Sequence, residues 1–185
     1  MMKKVILSGV FLTLAFTVQI TDVSADTIVE VAQSDSSFST LVDLVVAADL
    51  ANTLSSEGPF TVFAPTNEAF AALPPYIAAL LEREPEMLTE ILLYHVAAGE
   101  LQSGDVVGME AIETVQTDSV VVSAADGDYY INNSKLISLD VMAENGVVHV
   151  IDQVLIPRSV YQEVLNDIKA QLDQIQLLVA VFKAL

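Results

Sequence analysis

Apolar residues recur at helical spacing through the first half of the chain, alternate through much of the second, and return to helical spacing at the end. Thr27 to Ala32 and Phe38 to Leu54 follow the 3.6-residue period, the latter through Phe38, Leu41, Val42, Val45 and Val46, with Ser36 or Ser37 placed to cap it. Two early helices are expected. Glu57-Gly58-Pro59 breaks the pattern and Phe60 to Ala64 alternates as a short strand. Pro65-Thr66-Asn67 then turns into a helix opening with Glu68-Ala69-Phe70. Thr66 or Asn67 caps that helix by accepting backbone N–H bonds, for about 1 kcal/mol. Leu88 to Val96 reads as a further helix ending near Gly99. The period then changes to two: Ile112 to Val115, Ser119 to Ser123, Tyr129 to Ile131, Leu136 to Leu139 and Val147 to Ile156 are expected strands. Asp126-Gly127 and Asn145-Gly146 supply the positive φ of tight turns between them. Helices first and short strands second predict an α+β fold with an antiparallel sheet system.

The last helical stretch has its own pattern. Tyr161, Leu165, Ile168, Leu172, Ile175, Val179 and Phe182 recur at alternating gaps of four and three, one seam on a helix from about Ser159 to Ala184. Leu165, Leu172 and Val179 take the a positions of a heptad and the other four take d, with Val164 and Leu178 widening the stripe at g. Leu at a with Ile at d favours three or four helices over two. The seam therefore marks a homo-oligomer interface, with two other uses open: folding back on its own domain, or lying on a membrane surface. For the last, the helix lacks the basic polar face that such anchors use.

Charge divides the chain at Pro157. From Asp26 to Pro157 there are 21 Asp and Glu against Arg83 and Lys135, a net of −19; from Arg158 to Leu185 three acids balance three bases. So acidic a body repels phosphates, which excludes nucleic acid as a partner. With no cysteine there is no disulfide, thiolate nucleophile or Cys-ligated metal. The N-terminus supplies the compartment. Met1-Met2-Lys3-Lys4 is basic, Val5 to Val18 is an almost unbroken apolar run, and Val23-Ser24-Ala25 has small residues where a signal peptidase cuts. A run of 14 residues is shorter than the ~20 that span a bilayer. The expected organisation is a signal peptide over 1–25, a domain over 26–157 and an amphipathic C-terminal helix over 158–185, in a protein secreted or periplasmic after cleavage.

Three separated blocks resemble the fasciclin domain family in order and spacing: Phe60-Thr61-Val62-Phe63-Ala64-Pro65-Thr66-Asn67-Glu68-Ala69-Phe70, Leu93-Tyr94-His95-Val96, and Asn145-Gly146-Val147-Val148-His149-Val150-Ile151-Asp152-Gln153-Val154-Leu155-Ile156-Pro157. The resemblance covers about residues 26 to 157. It implies a fasciclin-like wedge of two β-sheets with helices packed around it, exported, and acting in adhesion or extracellular-matrix association without catalysis. In animal members a Tyr-His pair and an Asp-Ile motif among bulky apolar residues are associated with integrin binding. Tyr94-His95 and Asp140-Val141-Met142 stand at the matching places, with Val141 replacing Ile. The bacterial type of signal start argues against integrins, and the same residues also suit core packing.

The residues of the blocks fit structural roles. Thr66 and Asn67 belong to a cap, Asn145 and Gly146 to a turn, and His149 and Asp152 to a valine-rich strand. In it Val147, His149 and Ile151 share one face and Val148, Val150 and Asp152 the other. A histidine between valines is expected to be hydrogen-bonded inside the core. The two histidines are 54 positions apart, and no Gly-x-Ser-x-Gly elbow, His-Glu-x-x-His or phosphate-cradling glycine loop occurs. Asp126-Gly127-Asp128 lacks the remaining ligands of a calcium loop. No catalytic residue, metal or cofactor is assigned. The expected function is an exported adhesion or matrix-binding module whose partner is an extracellular protein or polysaccharide. A carrier of an apolar ligand such as a carotenoid is the alternative, since some microalgal members of the family bind carotenoids and Val, Ile, Leu, Ala and Met are abundant.

Overall fold

The computed structural model of the protein describes residues 26–184; the expected signal segment over 1–25 lies outside them. Helices lead and strands follow, as the change of period predicts. Thr27 caps α1 (Ile28–Ser34) in a reciprocal box with Glu30. The helix expected over Phe38 to Leu54 is instead a 3-10 turn (Ser36–Phe38), α2 (Ser39–Ala47) and α3 (Ala51–Leu54). Asp49 lies between the two helices at φ 56°, where the i to i−4 ladder cannot continue. The side-chain cap of this stretch is Asp35, accepting from the Ser37 N–H, rather than Ser36 or Ser37.

After β1 (Phe60–Pro65), Thr66 Oγ1 accepts from the Ala69 N–H and caps α4 (Asn67–Ala71). Two helices with proline in the first turn follow: α5 (Pro75–Arg83), which the period did not reveal, and α6 (Pro85–Tyr94). β2 (Val96–Ala98), also unforeseen, carries the residues expected to finish that last helix, so α6 ends well before Gly99. A single turn of helix, α7 (Ser103–Val106), precedes the remaining strands: β3 (Ala111–Glu113), β4 (Ser119–Ala125), β5 (Asp128–Ile131), β6 (Ser134–Ala143) and β7 (Gly146–Ile151). The chain closes with α8 (Arg158–Ala184).

The seven strands run in the order β2-β1-β7-β6-β5-β4-β3. β1 and β7, second and third in that order, pair in parallel, with Phe63 opposite His149; the other pairs are antiparallel. The sheet curls until Ala97 in β2 bridges Thr114 just beyond β3, which makes it barrel-like and joins the two arms of the expected wedge through β6. Alternation on β1 and β7 fills two cores. Val62, Ala64 and Val148 face the helices with Leu41, Val45, Leu88 and Ile91, whereas Phe63 and Ile151 face the barrel interior with Ile112, Val120 and Ile131. The expected split of β7 is present: His149 stacks on Phe63 inside the barrel, with ring centroids 5.9 Å apart.

α8 has 27 residues and is about 40 Å long. Val160 and Val164 are buried in the helix-side core, so Val164 serves its own domain and does not widen an outward stripe. From Leu165 to Lys183 every residue is exposed.

Candidate binding face and its buried support

The turn that launches β7 fixes the site's geometry. Asn145 is buried, accepts from the Ile28 N–H at 2.9 Å, and donates to the carbonyls of Leu54 (2.7 Å) and Ser56 (2.9 Å), tying the early helices to the sheet. Gly146 follows at φ 154°, and a Cβ there would stand 1.9 Å from the Phe60 carbonyl oxygen. Only glycine lets β1 and β7 approach at this point. Asn67 does comparable work on the far side, accepting from the Thr40 N–H and donating to the Ser36 carbonyl. Asp152 accepts from the Lys135 N–H at 2.7 Å and fixes the register of β6.

One hydrogen-bonded chain then runs through the sheet to the surface. His149 is fully buried; its Nδ1 accepts from the Asp140 N–H at 3.2 Å, so Nε2 carries the proton it donates to the Leu101 carbonyl at 2.8 Å. The Leu101 N–H donates to Thr61 Oγ1, which donates to the Gly99 carbonyl. At the outer end the Asp140 carboxylate accepts from the N–H and the hydroxyl of Ser103, at the start of α7. These bonds, the hydroxyl first, hold the Asp140 carboxyl below the usual carboxylate range. Asp140 has φ 56°, and the register of β6 against β7 shifts between Ser138 and Val141. The bulge turns Asp140 toward α7, while Val141 is half-buried and Met142 is 53% exposed.

Tyr94 and His95 lie elsewhere. Tyr94 is buried in the barrel-side core, its hydroxyl donating to the Ser119 carbonyl and accepting from Asn132 Nδ2, both at 3.1 Å. His95 caps α6 from inside: the Leu155 N–H donates to Nε2 at 2.9 Å and Nδ1–H donates to the Ile91 carbonyl at 2.8 Å. Burial pushes its imidazole down to about 4. His95 precedes β2 and Asp140 sits in β6, on opposite sides of the β1–β7 pair. The two motifs do not share a face. They are linked through β1, where the Phe63 N–H donates to the His95 carbonyl and the Phe63 ring stacks on His149.

The family model of the fasciclin domain matches residues 36–157. The chain belongs to the fasciclin domain family. Two relatives from Synechocystis sp. have similar extent. "Protein sll1483" is 48% identical over 136 residues, 72% of this chain and 75% of that protein; "Uncharacterized protein sll1735" is 43% identical over 129 residues, 70% and 96%. "Transforming growth factor-beta-induced protein ig-h3" of Sus scrofa is 40% identical over 131 residues, which is 71% of this chain but 19% of the pig protein. A solved FAS1 domain pair from the insect cell adhesion molecule fasciclin I shares the fold, with a TM-score of 0.64 at 22% identity, covering 72% of this chain and 52% of that one.

Within this fasciclin domain, the residues sequence reasoning missed are Thr61 and Ser103. Thr61 is an ordinary strand threonine by pattern and Ser103 lies in a stretch without clear period, so their role depends on contacts 37 to 40 residues away. Among the described residues no three His, Asp or Glu side chains are grouped to hold a metal ion. An apolar cavity of about 40 Å³ lies between α1, α2 and the sheet, lined by residues such as Val29, Leu41, Val62 and Val148. Two larger grooves, of about 410 and 420 Å³, have walls rich in Ser, Glu, Asn, Gln and Tyr.

Proposed function

We propose that the protein is an exported, non-enzymatic adhesion or matrix-binding module whose contact face centres on Asp140, Val141 and Met142. The carrying observation is the bulge of β6, where a non-glycine residue is held at φ 56° by Ser103 and leaves a large apolar side chain in water beside it. Backbone held in a sparsely populated conformation by surrounding bonds is characteristic of binding sites. Kinship with a domain of a cell adhesion molecule supports the same reading. Tyr94 and His95 serve the core rather than acting as contacts, because both are buried. The partner is an extracellular protein or polysaccharide. Carriage of a carotenoid has less support: the apolar cavity of about 40 Å³ is far below the roughly 300–1,000 Å³ of ligand pockets, and the larger grooves are polar.

The experiment compares the immobilised chain with its Met142→Glu variant in native culture medium and cell-surface extract, reading captured material by mass and absorbance. Met142 is exposed, so the variant keeps its thermal midpoint and loses about tenfold or more of the captured partner. Equal capture by the two proteins removes this face from the proposal. A coloured, apolar molecule bound equally by both supports the carrier instead.

A further inference from the structure

α8 carries an apolar face that its own domain leaves uncovered. Val160 and Val164 anchor its first turns, Ser159 donates to Glu90, and the Tyr76 hydroxyl donates to Asp167. Every residue from Leu165 to Lys183 is exposed, and beyond the Asp167 contact the helix runs on alone for about 24 Å from Ile168. Leu165, Leu172 and Ile175 are each more than half exposed and Phe182 is 74% exposed. A helix of this length without tertiary support is marginal in water, and a stripe of large apolar side chains along it is stable only when another surface covers it.

The charges around the stripe select the covering surface. With Leu165, Leu172 and Val179 at a, the acids Glu163, Asp167 and Asp173 fall at f, c and b, away from the seam. The flanking e and g positions hold no acid: Lys169 and Lys183 at e are joined by glutamines, Val164 and Leu178. Lysine stems at e can lie over Leu178 and Gln171 at g of a neighbouring helix, so identical helices meet without like-charge acid contacts. The body tells against an anionic membrane, since its net charge of −19 is repelled by acidic headgroups. Folding back on the domain is excluded by the uninterrupted helix and its exposure.

We propose that α8 joins copies of this chain through residues 165–183 into a bundle of three or four helices, holding the acidic domains outside it. The assembly stands independently of the binding face. If that face is as proposed above, clustering it multiplies weak contacts by avidity.

Light scattering and sedimentation of the purified chain at tens of micromolar test this, from 0.05 to 1 M salt. The expected mass is about three to four times that of the monomer, set by the Leu and Ile pattern. The dissociation constant should fall as salt rises, because screening relieves repulsion between the bodies while the apolar seam is unharmed. Leu172→Glu with Ile175→Glu should give a monomer of unchanged thermal midpoint, whereas Gln174→Glu, at an outward c position, keeps the oligomer. A wild-type monomer throughout, an oligomer that survives the seam variant, or equal loss in Gln174→Glu overturns the proposal. So does a monomer that sediments with phosphatidylcholine vesicles through α8.

Discussion

His95 shows how a residue that resembles a functional group can be committed to packing. Its two ring nitrogens satisfy the Ile91 carbonyl and the Leu155 N–H while the ring is buried, and a proton added to Nε2 would displace the Leu155 bond. Its folded pKa of about 4 lies below the ordinary 6.5, so the unfolded chain binds the proton first as pH falls. The stability tied to His95 is therefore complete above pH 6.5 and is lost progressively between 6.5 and 4, by about 3 kcal/mol in all. Urea unfolding across that range should show the midpoint falling with acid, and the non-titrating variant His95→Gln should flatten that dependence while lowering stability throughout. An equally steep decline in the variant would assign the effect to other groups. Asp140, Glu30 and Asp35 act in a lower window: hydrogen bonds depress their carboxyls, so their contribution is present above the ordinary carboxylate range and disappears as pH falls through their lowered values.

At the scale of elements, β6 and α8 carry the individuality of the molecule. β6 is ten residues long but changes register twice against β7, and the bulge converts a strand residue, Asp140, into a latch on α7. Period-two reading covers only Leu136 to Leu139 of it because beyond them alternation fails at the bulge. α8 divides after Asp167 into a docked part and a projecting part. Truncation after Asp167 should leave the domain's own stability within about 0.5 kcal/mol of the full chain, since the removed residues belong to neither of its cores. Truncation after Pro157 also uncovers the core beneath Val160 and Val164 and should cost about 2–5 kcal/mol. Thermal and urea melts of the two shortened chains check the contrast, and equal destabilisation would place unexpected support in the outer half of the helix.

For the whole molecule, the uneven charge is the governing property. A body of net −19 joined to a neutral helix stays soluble and resists close approach of its own copies, so any self-association is directed to the helix. The basic, apolar and small-residue order of residues 1 to 25 is the pattern of a signal peptide, and the N-terminus it predicts for the exported protein is Asp26. N-terminal sequencing of material recovered outside the cytoplasm checks it; Met1 on that material would show that the segment is retained.

The sequence by itself determined what depends on local period and composition: the broad succession of helices and then strands, the Asp126-Gly127 turn, the shared face of Val147, His149 and Ile151, the helical tail, and, through three spaced blocks, the family; the turn before β7 falls one residue earlier than read, at Glu144-Asn145, with Gly146 already in the strand. Most of its failures have one physical cause. Asp49 breaks a helix through its own left-handed backbone, whereas Gly146 admits Phe60, Thr61 and Ser103 complete the path to Asp140, and Val164 turns inward because segments distant in sequence meet there. The same holds for Tyr94-His95 and Asp140-Val141-Met142, which the sequence offers as one site. Tertiary structure puts the first pair in the core and the second motif at a surface bulge, because the β1–β7 pair runs between them and each histidine must satisfy its ring nitrogens with backbone groups that only the folded chain supplies.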